Sequence, residues 1–140
     1  MRKFKILVVE DERIISYEIE VILEHCGYDV FVTSFGEKAI QMASEIKPDL
    51  VLMDIQLKDD IDGIQAALKI HNRYDIPIIY ITAHPYAEKI GKFLKSESFG
   101  VMTKPFDSIE LVALISLTIQ NHQLVHKKYS KRAKHWGILN

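Results

Sequence analysis

Three short runs of unbroken apolar residues constrain this chain most: KILVV from Lys5 to Val9, LVLM from Leu50 to Met53, and PIIYIT from Pro77 to Thr82. Each has the length and β-branched content of a strand, and none alternates polar with apolar. A strand that is apolar at nearly every position has to be covered on both faces, the condition of a parallel sheet between two layers of helices. Asp29 to Thr33 and Phe99 to Met102 are weaker candidates of the same kind.

Helical spacing falls between these runs. Ile14, Ile15, Ile19, Ile22 and Leu23 recur at three- and four-residue intervals, and Gly27 reads as the residue just past that helix. Ser34 with Glu37 forms a capping box that opens a helix through Ala43. Ile64, Ala67, Leu68 and His71 mark a third helix, Tyr86 to Leu94 a fourth, and Asp107 with Glu110 caps a fifth that runs past Ile119. Strand and helix alternate five times, which predicts an α/β three-layer sandwich in a single domain of this 140-residue chain.

Composition narrows the function classes. The lone Cys26 cannot form an internal disulfide, which argues for a reducing, cytoplasmic setting, and it reads as a small buried apolar residue. The first strand starts too close to Met1 to leave room for a signal peptide. The longest apolar run, Leu111 to Ile119, is too short to span a bilayer, so no membrane contact is expected. Five of the 18 basic residues fall between Lys127 and Lys134, where there is no acid, so 13 bases face 19 acids in the remainder. An acidic body argues against nucleic-acid binding by the domain itself.

Parallel sheets bind ligands beyond the carboxyl ends of their strands. Those ends carry Glu10 and Asp11 after the first strand, Asp54 after the third, Thr82 after the fourth and Lys104 after the fifth. Taken singly, Asp11 is as well explained as a helix cap, Asp54 as a turn residue and Lys104-Pro105 as a loop. Their joint placement is not. Three clustered carboxylates repel and raise one another's pKa unless a hard cation sits among them, and Mg2+ suits such a set together with water and phosphate oxygens. A lysine and a threonine hydroxyl complete a phosphate site, and a carboxylate can itself be the nucleophile that takes a phosphoryl group.

The segments ILVVEDE (6–12), PDLVLMDIQL (48–57), DGI (62–64), IPIIYITA (76–83) and KPF (104–106) resemble the receiver domain of two-component response regulators, over roughly residues 3 to 125. The resemblance implies a flavodoxin-like fold with a five-stranded parallel sheet in the order 2-1-3-4-5. It implies Asp54 as phosphoacceptor, with Thr82 and Lys104 on the phosphoryl oxygens and Ala83 keeping the site open. Mg2+ would be held by Glu10, Asp11, Asp54 and the backbone carbonyl of Gln56, and the Lys104-Pro105 bond would be cis. The implied partner is a sensor histidine kinase or a phosphotransfer protein, and the implied role is that of a switch rather than an enzyme. Residues 1–125 then form the receiver domain and 126–140 a basic extension or linker. A second reading is the receiver portion of a longer kinase or effector, cut within the basic tail. A Mg2+-dependent phosphatase would want an acid two residues past Asp54, where Gln56 stands.

Three departures from the family pattern stand out. Val101 occupies the place of the usual aromatic three residues before the lysine, with Phe99 two residues earlier on the same strand face. Leu57-Lys58 replaces the usual Met-Pro, and Glu97-Ser98 replaces a Gly-Ala pair. Among the remaining features, His84 reads as an exposed loop residue, and Tyr28, Phe31 and Tyr80 have core spacing. His122 and His126 share a helix face but lack a visible third ligand for a metal. From Ser108 to Ile119 eight of twelve positions are apolar, more than one buried face needs, which predicts homodimer formation through the last helix.

Overall fold

Every strand places alternate residues on opposite sides of one sheet, and both sides are packed. The structure, a computed structural model, describes residues 2–57, 61–83 and 99–135, with side chains through 126. The strands are β1 (Lys5–Val9), β2 (Asp29–Thr33), β3 (Leu50–Asp54), β4 (Ile78–Thr82) and β5 (Phe99–Thr103). All pair in parallel in the order β2-β1-β3-β4-β5, as the resemblance implies. The helices among the described residues are α1 (Arg13–His25), α2 (Gly36–Ile46), α3 (Gly63–Tyr74) and α4 (Ser108–His135). The helix expected at Tyr86 to Leu94, together with His84, Lys58 and Glu97-Ser98, lies outside the described residues.

Unbroken apolarity in β3 and β4 has the expected cause. Val51, Met53, Ile78 and Tyr80 face α2 and α3, where Ala43, Ala67 and Ile70 are fully buried. Leu50, Leu52, Ile79 and Ile81 face α1 and α4, where Ile19, Leu23, Leu111 and Ile115 are fully buried. The sheet thus separates two apolar clusters, one per helical layer.

Helix ends show where local sequence signals were right and where they were not. Gly27 follows α1 at φ +94, and the Tyr28 N–H donates back to the Leu23 carbonyl at 3.0 Å, a closing turn that glycine alone adopts without strain. Asp107 Oδ1 accepts from the Glu110 N–H at 2.7 Å, so the predicted cap of the last helix is present. The Ser34 capping box is not used as expected: α2 begins at Gly36 with Phe35 in the cap position and no side-chain cap there. Asp11 does not cap α1 either, because Glu12 holds that place. Helices α2 and α3 close on left-handed Lys47 (φ 53) and Asp75 (φ 55), where no glycine signalled an end. Cys26, expected in the core, is exposed, because the closing turn of α1 carries it away from the sheet.

The last helix keeps its two-faced character. Leu111, Ile115 and Ile119 are buried, whereas Ile109, Ala113 and Leu117, four residues apart, are exposed. No helix among the described residues is long and apolar enough to cross a membrane.

Candidate active site

The strand order brings the ends of β1, β3, β4 and β5 side by side, with the reversal between β1 and β3 opening a cleft at Asp54. The Glu10 N–H donates to the Thr33 carbonyl at 3.1 Å, extending the ladder by one step and burying the Glu10 side chain completely. Asp54 closes β3 and is 3% exposed, so its carboxylate lies at the floor of the cleft. Beyond it the chain folds back, and the Gln56 N–H donates to Asp54 Oδ1 at 3.1 Å. On the far side the Lys104 N–H donates to the Thr82 carbonyl at 2.9 Å, which fixes where the lysine leaves β5. The Lys104-Pro105 bond is cis, as the resemblance implies.

Lys104 reaches across the cleft. Its Nζ lies 3.2 Å from both Glu10 oxygens and 3.7 Å from Asp54 Oδ2. Glu10, Asp11 and Asp54 each present a carboxylate oxygen, all within 4.8 Å of one another. Thr82 stands at the same edge, 3% exposed, and Ala83 beside it is exposed. Five residues expected from sequence to share one site, Glu10, Asp11, Asp54, Thr82 and Lys104, are therefore brought to one place.

The electrostatics follow from burial. Desolvation, then the Asp54 charge, push the Glu10 carboxyl up to about 7 despite Lys104. Asp54 is also raised, chiefly by burial, with the Gln56 N–H and Lys104 opposing and Asp11 adding repulsion. Burial weakens the Lys104 ammonium, yet Asp54 and Glu10 outweigh it and its pKa rises. One ammonium is too little for three carboxylates. Among the described residues none donates a hydrogen bond to Glu10 Oε2, which is wholly buried with only Nζ nearby. That orphaned oxygen, with two further carboxylates at hand, fits a hard oxygen-seeking cation.

The Asp62-Gly63 pair of the DGI segment has a structural reason. Asp62 Oδ1 caps α3 by accepting from the Gln65 N–H at 2.8 Å, and the Gly63 N–H donates to the Ile55 carbonyl at 3.2 Å. Gly63 thereby presses its backbone against the strand end that carries Asp54. Phe99, the aromatic on the same strand face as Val101, packs in the α2–α3 layer together with it, its ring stacked on Tyr80 at 5.9 Å.

Residues 6–116 match the family described as the response regulator receiver domain. The signal receiver domain of a modulated diguanylate cyclase from Desulfovibrio desulfuricans is 31% identical, with a TM-score of 0.79 over 88% of this chain and 98% of that one. The N-terminal domain of a response regulator, sensory box and GGDEF three-domain protein from Carboxydothermus hydrogenoformans is 32% identical, with a TM-score of 0.75 over 86% of this chain and 97% of that one. The receiver domain of a sensor histidine kinase from Pseudomonas aeruginosa is 29% identical, with a TM-score of 0.75 over 85% of this chain and 99% of that one, and it carries a magnesium ion in its active site cleft. With its fold, its strand-end cleft and a family match covering most of its length, this chain belongs to the receiver domains of two-component response regulators.

Proposed function

We propose that Asp54 accepts a phosphoryl group from a sensor histidine kinase or a phosphotransfer protein, and that the domain works as a phosphorylation-dependent switch. The supporting observation is the buried Asp54 carboxylate with Lys104 Nζ 3.7 Å away. A carboxylate oxygen of Asp54 forms the new bond to phosphorus as the donor's bond to phosphorus breaks. Lys104 offsets charge on the phosphoryl oxygens, and the Thr82 hydroxyl donates to one of them. Glu10, Asp11, Asp54 and the Gln56 carbonyl would hold Mg2+, which supplies charge neutralisation between the carboxylates and the incoming phosphoryl group. The magnesium in the Pseudomonas aeruginosa relative supports this assignment.

The domain acts in this reading as a regulatory phosphoacceptor and not as an enzyme on external substrates, since Gln56 offers no general acid two residues past Asp54. A cytoplasmic setting belongs to the same reading and agrees with the single thiol. Residues 126–140 serve as a basic extension of the receiver unit 1–125, without nucleic-acid binding by the domain itself. The outward stripe of Ile109, Ala113 and Leu117 supports a two-fold homodimer through α4.

The experiment is intact-mass measurement after incubation with acetyl phosphate and Mg2+. One phosphoryl addition is expected for the wild type and none for Asp54→Ala. No addition to the wild type, or one that persists in Asp54→Ala, would overturn the proposal.

A further inference from the structure

A second donor cluster lies at the opposite edge of the sheet, away from the strand ends that carry the acidic cleft. Asp75 follows α3 in the left-handed conformation, three residues before β4 begins. His122 and His126 lie one turn apart on α4 and turn their rings to the same carboxylate. His126 Nε2 is hydrogen-bonded to Asp75 Oδ2, and His122 Nε2 lies 3.9 Å from the same oxygen. Sequence spacing offered only the histidine pair. The fold supplies the third donor from a residue 47 positions before His122.

The geometry points to a transition-metal site formed by Asp75, His122 and His126. The three donor atoms all lie within 4.8 Å of one another, so there is a point no more than about 2.8 Å from any of them. Zn2+ binds imidazole nitrogen and carboxylate oxygen at about 2.0–2.1 Å, so His122 closes in on the ion while His126 draws back from its direct hydrogen bond to Asp75 Oδ2. Two of the three side chains can move freely, with Asp75 54% and His126 57% exposed, while half-buried His122 at 15% serves as the anchor. Two imidazoles and one carboxylate select a borderline divalent ion such as Zn2+ over Mg2+ or Ca2+, which require oxygen donors. A depression of about 410 Å³ lined by Tyr74, Asp75, Pro77 and His122 leaves room for a water as fourth ligand.

Metal at this place ties the second half of α4 to the turn between α3 and β4. The direction in which the basic extension leaves the domain is then set by a clamp independent of Asp54.

The test is calorimetric titration of the full chain with Zn2+, in excess Mg2+ to occupy the acidic cleft, together with thermal unfolding with and without Zn2+. Uptake of one equivalent and a raised unfolding midpoint are expected, both reversed by a chelator. His126→Gln and Asp75→Asn each weaken binding by about tenfold or more. Asparagine is chosen because it tolerates the left-handed backbone of residue 75. His25→Gln, on exposed α1 surface, leaves uptake unchanged. Absence of uptake by the wild type, or uptake undiminished in both ligand variants, would overturn the site. Loss in His126→Gln but not in Asp75→Asn would reduce it to a bare histidine pair and equally refute the three-donor assignment.

Discussion

A Cβ atom added to Gly63 would stand 2.0 Å from the carbonyl oxygen of Asp54. No side chain fits that gap, and the obstacle is backbone, which cannot rotate aside as a flexible side chain would. Gly63→Ala is therefore expected to push α3 away from the end of β3, at a cost of roughly 1–3 kcal/mol. Urea unfolding would measure the loss. Acetyl phosphate labelling of the variant should slow as well, because the same shift displaces the carboxylate. A variant as stable and as rapidly labelled as the wild type would show that the contact constrains nothing.

The pH dependence of the metal-free domain follows from Glu10. Its folded-state pKa is raised from the ordinary 4.5 to about 7, so the fold favours the protonated acid. The stability this contributes is complete below about pH 4.5 and is lost as pH rises towards about 7. With one pKa unit worth about 1.4 kcal/mol, the loss is on the order of 2 kcal/mol after allowing for sharing with Asp54. Mg2+ competes with that proton, so its effect on the unfolding midpoint should be small at the acid end of the window and grow across it. Thermal unfolding at several pH values, with and without Mg2+, would show whether the two curves diverge in this direction.

Strand β5 is expected to stay in place on activation. Val101 lies opposite Tyr80 in the ladder and has no ring to swing. The neighbouring ring of Phe99 is held between Tyr80, stacked at 5.9 Å, and His71, tilted at 4.7 Å. Amide exchange of residues 99–103 should accordingly be unchanged by beryllofluoride, which mimics the phosphoryl group. Marked deprotection of those amides would reveal an aromatic switch working through Phe99 after all.

Association through α4 has a direct mutational test. Leu117 is 56% and Ile109 81% exposed, beside an apolar groove that Val21 and Ile22 of α1 share with Val112. A charge placed on this surface would be desolvated in any dimer, so Leu117→Glu is expected to raise the dimer dissociation constant about tenfold or more. Sedimentation with and without beryllofluoride would show it. A monomer under both conditions leaves the stripe without that role.

Much of this architecture was legible because it rests on local rules. Strands covered on both faces cannot alternate, and β3 and β4 do not; a short acid immediately before a helix start, where the first N–H groups lack acceptors, caps it, as Asp107 does. The strand-end residues were legible for the same reason, since topology alone carries Glu10, Asp54, Thr82 and Lys104 to one edge. What stayed hidden depends on contacts between distant segments. The need for glycine at 63 comes from the approach of a helix to β3, and the meeting of Asp75 with His126 spans 51 residues. Cys26 was misread because its small apolar side chain fits a core equally well, and only the closing turn of α1 decides that it faces out.

The division of the interior into two clusters by the sheet makes its energetics modular. Ile70 and Ile115 belong to different clusters, so substitutions at the two should add to within about 0.5 kcal/mol. One helical layer can then drift in sequence without compensation from the other. The layer of α1 and α4 carries the exposed apolar stripe and is free to be recut for a new partner. The layer of α2 and α3, with Gly63 pressed on Asp54, meanwhile keeps the cleft in shape.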